Sequence, residues 1–108
     1  MSTDYSKMSD FEINCRVHSE VMEISGLDSF KAKDYCNSPA DAWPVVEQNK
    51  ITMMHECDEW TAFGNLSIHH SGEANWEFCE YDKKPFRAAM IVFLMMQEKS
   101  NGGLPKRC

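Results

Sequence analysis

Residues 88–96, AAMIVFLMM, form an unbroken apolar run of nine in a chain of 108 residues and net charge -6. The run is far short of the roughly 20 residues that span a bilayer, so a soluble fold must cover it. An ordinary surface helix alternates apolar and polar residues with a period near 3.6, and this run does not. Pro85 suits the start of a helix and Gly102 its stop, so the sequence predicts a helix from Pro85 to about Lys99. Phe86, Ala89, Met90, Phe93 and Met96 share one stripe. Ala88, Ile91, Val92 and Met95 share the opposite one. A sheet can take one stripe, and the other must meet a helix or a second molecule. Leaving Ile91, Val92 and Met95 in water forgoes about 5 kcal/mol of burial, comparable to the whole stability of a small domain. The helix is therefore central, between layers or between subunits, and Ile91 and Met95 are candidate contact residues.

The N-terminal third carries a second helix signal. Ser9 followed by Glu12 has the spacing of a capping box, with Met8 and Ile13 placed as its hydrophobic staple. Phe11, Ile13, Cys15, Val17, Val21, Met22 and Ile24 share one broad arc, predicting an amphipathic helix from about Asp10 to Ile24 that ends near Gly26. Asn14 and His18 fall inside this arc, four residues apart. Buried polar groups normally have hydrogen-bond partners for structural reasons alone, so the favoured reading is a satisfied pair that orients the helix.

Residues 25–37 have no strong period. In CNSPADAWP, Ser38 suits an N-cap, Pro39 the first helical position and Asp41 the first turn. Pro44 lacks an amide hydrogen and clashes with the preceding turn. This predicts one kinked helix, or a turn and a second segment to about Asn49, with Val45 and Val46 inward and Trp43 across the kink. After Lys50 the pattern shortens. Residues 51–56, a piece of 59–70 and residues 75–81 are rich in aromatic and β-branched types, and HSGEAN reads as a turn. A small antiparallel sheet of two or three strands follows, with Trp60, Trp76 and Phe78 on its packed face. The fold class is α+β: one domain over residues 8–99, a disordered lead at 1–7 and a flexible tail at 100–108.

The acidic balance argues against a generic nucleic-acid binder, which presents a basic face to phosphates. Lys83 with Lys84, and Lys106 with Arg107, are pairs rather than patches. The five cysteines, at 15, 36, 57, 79 and 108, are odd in number and contain no C-x-x-C pair. They point to reduced thiols in a cytosol rather than a disulfide framework. Cys15 reads as a buried small hydrophobe and Cys108 as an exposed thiol. The polar, acidic start has no apolar region of the secretory kind.

Three groups of residues have side chains suited to chemistry or recognition. His55, Cys57, His69 and Cys79, with His70 beside them, could surround zinc if the strands brought them together, but their spacing fits no standard zinc motif. Cys57 beside His55 or His69 is the only pairing resembling an activated nucleophile, and nothing marks it out from chance. Asp34, Asn37, Asp41 and Trp43 form a polar-aromatic cluster that could be a recognition surface. The plainer reading is helix capping plus a core tryptophan. No catalytic residue and no cofactor are indicated.

The stretches DYSKMSDFEIN (4–14), DYCNSPADAWPVV (34–46) and RAAMIVFLMMQE (87–98) resemble the phage NinX family, small proteins of the nin region of lambda-like bacteriophages and their prophages. The resemblance implies no assigned biochemical activity, so no site residue carries over from it. Two positions depart from the family pattern. Lys84 stands where an asparagine usually precedes the proline of the last helix, with Asp82 placed to compensate near the helix N-terminus. His18 stands where a small apolar residue is expected. The combined expectation is an accessory protein of the bacterial host cytoplasm that binds a protein partner or itself, with no membrane contact. A nucleic-acid factor in phage replication or recombination is the alternative, and a zinc-supported domain ranks third.

Overall fold

A computed structural model describes residues 4–22 and 32–102. The expected ends of the first helix near Ile24 and Gly26, most of the connecting segment, Cys108 and most of the tail lie outside the described residues. The elements run in the order η1 (Tyr5–Lys7, a single 3-10 turn), α1 (Asp10–Met22), α2 (Pro39–Gln48), β1 (Thr52–Glu56), β2 (Glu59–Gly64), β3 (Ser67–Ile68), β4 (Ala74–Asn75), β5 (Phe78–Asp82) and α3 (Pro85–Gly102). The fold is α+β. β1, β2 and β5 make an antiparallel sheet in that order, and β3 pairs with β4 as a separate short hairpin between β2 and β5.

α3 explains the apolar run. It packs on β2 and β5 on one side and on α1 and α2 on the other. Every residue from Ala88 to Leu94 is buried, so both stripes are covered by the chain itself. The helix approaches the sheet tightly at Gly64, where an added Cβ would lie 3.0 Å from Val92 Cγ1 and 3.0 Å from Met96 Sδ. Ser100, Asn101 and Gly102, read from sequence as the start of the tail, continue the helix. Likewise, the residues read as a lead contain a 3-10 turn whose Tyr5 is buried.

At the N-terminus of α1 the Ser9 hydroxyl accepts from the Glu12 amide at 3.1 Å, while the Glu12 carboxylate turns to Arg16 at 3.6 Å. The buried stripe is narrower than the expected arc and differently placed: Ile13, Asn14, Val17 and His18 face inward, whereas Phe11 is 65% exposed and Val21 and Met22 are also exposed. The two polar residues turn inward because the 34–36 turn supplies their hydrogen bonds. α2 is continuous through Pro44. The burial of Ala42, Val45 and Val46 holds it despite the missing amide. Ser38 occupies the N-cap without a side-chain hydrogen bond, and Trp43 is half exposed rather than packed across a kink.

The sheet also departs from expectation in detail. Residue 75 belongs to β4, and β5 begins only at Phe78. Thr61, Ala62, Phe63 and Gly64 in β2 are its buried centre. Trp60 and Phe78 are half-buried on the helix side, but Trp76 is exposed in the segment before β5. β1 and β2 are joined by the two residues Cys57 (φ 54°) and Asp58 (φ 65°), the positive-φ pair of a type I′ hairpin turn.

Candidate functional site

The three stretches that carry the family resemblance meet in one polar network. Asp10, opening α1, accepts from Arg87 Nη1 at 2.6 Å, from Lys84 Nζ at 2.5 Å and from Asn37 Nδ2 at 3.2 Å. Arg87 also donates from Nε to Asp82 at 2.9 Å and from Nη2 to the carbonyls of Ser6 and Met8 at 3.0 and 2.7 Å. Burial would push the Asp10 carboxyl up, but the hydrogen bonds from Lys84, Arg87 and Asn37 outweigh it and hold it below the usual carboxylate range. Asp82 meets the compensating role expected of it: its Oδ1 accepts from the Lys84 amide at 2.9 Å, just before α3. One turn further along α1, Asn14 donates to Asp34 at 2.9 Å and accepts from the buried Cys36 amide at 2.9 Å. His18 Nδ1 lies 3.1 Å from the Tyr35 hydroxyl. Asn14 and His18 thus each bond the 34–36 turn. The Cys36 thiol, buried first and then faced by Asp10, is pushed up to about 12, far from the thiolate a nucleophile needs.

This network spends its polar groups on the chain itself. Asp34 binds Asn14 and Asn37, so the expected recognition cluster is largely a tie between elements. Asp41 is half-buried, Met95 is half-buried against the core, and Ile91 is fully covered. A surface that includes Ile91 does not exist in this protomer.

The candidate metal and nucleophile residues His55, Cys57, His69 and Cys79 are not brought together. His55 faces the helix side of β1, where its ring lies 5.1 Å from that of Trp60. Cys57 leaves the strand alternation because it sits in the I′ turn. Cys79 faces the opposite side of the sheet, by its pairing with Phe63. His69 lies on the β3–β4 hairpin with Nε2 3.0 Å from Asn75 Nδ2. Among the described residues, no three His, Cys, Asp or Glu side chains are grouped to hold a metal ion.

What stays partly open is the other face of the sheet, where Thr61 and Phe63 of the central strand are buried but Met54 and Tyr81 on the flanking strands are exposed. Opposed residues of an antiparallel ladder share a face, and successive residues alternate. Gly64, Ala62 and Trp60 face α3, so Phe63, Thr61 and Glu59 face away. The ladder then places Met54, Thr61 and Tyr81 in one row across three strands, and Thr52, Phe63 and Cys79 in the next. Met54 is 45% and Tyr81 62% exposed. The ring of Trp76, half exposed, lies 5.1 Å from that of Phe63 and caps that end. Beyond the Met54 row, the paired Glu56 and Glu59 close the face at the hairpin end. Sequence reading missed this face because strand alternation shows that two faces exist, not which one a helix will cover.

The architecture is a small α+β domain with one central helix, a three-stranded sheet covered on a single face, and a polar clasp joining its N-terminal turn to α3. The chain belongs to the phage NinX family: the family model described as Bacteriophage P22, NinX matches residues 4–97. No curated protein and no solved structure matches the chain. No helix among the described residues is long and apolar enough to cross a membrane.

Proposed function

We propose that the chain is a non-enzymatic protein-interaction module that works in the cytoplasm of the phage-infected bacterium. One observation carries this reading: the sheet face opposite α3 leaves Met54, Tyr81 and Trp76 in solvent, while the far more apolar α3 is buried by its own chain from Ala88 to Leu94. Large apolar side chains left in solvent on one sheet face of a small protein are a mark of an interaction site, and covering each of these side chains recovers roughly 1 kcal/mol or more. Self-association through α3, the route suggested by the sequence, loses its motive because Ile91 and Val92 are already buried. The working surface is the sheet instead.

The test is capture from a lysate of phage-infected cells by the wild-type chain and by a Met54→Glu, Tyr81→Glu double variant of equal thermal stability. Proteins retained by the first and lost by the second support the reading. Identical retention by both, or retention by neither, overturns it.

A further inference from the structure

The open sheet face can be asked what chemistry it accepts; the answer rests on the protein-interaction reading. Two exposed rings and a thioether, Tyr81, Trp76 and Met54, on one sheet face suit two kinds of occupant: stacked nucleobases or the apolar side chains of another protein. A nucleobase platform works only with cations beside the rings, because each base brings a phosphate. Here the paired strands place no lysine or arginine on the outer face. Its charged residues are Glu56 and Glu59, directly opposed, with Asp58 in the turn between them. Lys83, one residue past β5, is the nearest cation along the chain. The negative field reaches the face itself. The Tyr81 phenol is pushed above its ordinary value first by Cys79 beside it, then by desolvation, and last by Glu56 and Glu59.

The same charge argues against a second copy. Face-to-face pairing would give Glu56 and Glu59 no cation from the outer strand positions of the second copy, on chains that each carry a net charge of -6. Like charges opposed across an interface are unfavourable.

We infer that the outer face of the β1–β2–β5 sheet docks a segment of a partner protein whose apolar side chains are flanked by lysine or arginine. The apolar side chains cover Met54, Tyr81 and Trp76, and the cations meet Glu56 and Glu59. Apolar contact supplies the affinity. Charge supplies the orientation and the choice of partner.

The experiment uses the full chain and two labelled synthetic amphipathic peptides with one apolar stripe, their polar positions filled by lysine in one and by glutamate in the other. Fluorescence anisotropy at physiological salt is expected to show binding of the lysine peptide alone. Glu56→Lys with Glu59→Lys is expected to weaken that binding about tenfold or more and to admit the glutamate peptide. Glu20→Lys with Glu47→Lys makes the same change in net charge on α1 and α2, and is expected to leave the preference in place. Unfolding midpoints show that each variant is folded. Failure of both peptides to bind overturns the inference, as does equal weakening by the two double reversals. Binding of labelled single-stranded DNA that is lost in the Met54→Glu, Tyr81→Glu variant assigns the face to nucleic acid and overturns it. Concentration-dependent dimerisation lost in that variant assigns it to a second copy, with the same consequence. If lysate partners are lost with Met54 and Tyr81 but insensitive to reversal of Glu56 and Glu59, the interaction reading stands and only this partner chemistry falls.

Discussion

Arg87 Nη1 donates to Asp10 Oδ1 at 2.6 Å, joining the first turn of α3 to the first turn of α1 across 77 residues of chain. The same guanidinium reaches Asp82 and two carbonyls of the N-terminal segment, and its side chain is only 11% exposed. The clasp fixes where α1 lies on the central helix, and with it the register in which Asn14 and His18 find the 34–36 turn.

Arg87→Ala is expected to cost about 3 kcal/mol in urea unfolding, because it takes one charged donor from each of two half-buried carboxylates, Asp10 and Asp82, and the guanidinium donor from two carbonyls. Arg87→Lys keeps the charge but not the fork of donors, and is expected to fall between wild type and the alanine variant. A loss below about 0.5 kcal/mol for Arg87→Ala would show that the clasp is ornamental; surface changes fall in that range.

Two carboxyl groups respond to pH with opposite sign. Asp10 is held below its ordinary value once the hydrogen bonds from Lys84 and Arg87 overcome burial. Its contribution is present above the unfolded-state value, near pH 4, and is lost as pH falls through the lower folded-state value. The wild type is expected to lose stability in that acid window, and Asp10→Asn to lose less across it. Unfolding midpoints measured from pH 6 down to pH 2.5 read the difference.

Glu80 faces α3 from β5, by its pairing with Ala62. Burial first, then Asp82 and Asp4 nearby, raise its carboxyl above the ordinary value against the pull of Arg87. The folded state therefore holds this proton more tightly than the unfolded chain does. That contribution is present below the unfolded-state value, near pH 4.3, and fades as pH rises through the folded-state value. Glu80→Gln is expected to be more stable than wild type at pH 7, with the gap closing below about pH 4. A gap that is absent at pH 7, or unchanged at low pH, contradicts this.

Gly64→Ala places a methyl group 3.0 Å from Val92 Cγ1 and 3.2 Å from Phe78 Cβ. Met96 can swing aside, but a β-branched side chain on the central helix and a strand neighbour cannot. The expected cost is about 1–3 kcal/mol, read as a lowered thermal midpoint. An unchanged midpoint would mean that α3 lifts freely from β2.

At the β1–β2 turn, Asp58 holds a φ of 65°, in the left-handed region that favours glycine. Asp58→Gly is expected to raise stability by a few tenths to about 1 kcal/mol, since Gly suits the second position of a I′ turn. A destabilising result would mean that the aspartate carboxylate contributes more than its backbone conformation costs.

The apolar run at 88–96 was legible as a helix covered on both sides because hydrophobicity belongs to the residues themselves and must be satisfied wherever the chain goes. The Ser9 cap, Pro39 at the first turn of α2, the sheet and the α+β class were legible for similar local reasons. Placement was decided by tertiary structure. The arc on α1 was broad enough to turn either Phe11 and Met22 or Asn14 and His18 inward. The polar pair went in because Asp34, Tyr35 and the Cys36 amide, some twenty residues away, stood ready to bond it. The same holds for the sheet: alternation assigns Met54 and Tyr81 to one face and Ala62 and Gly64 to the other, but only the docking of α3 against Gly64 determined which face was left to water. Burial is a property of a pair of surfaces, and a sequence states one surface at a time.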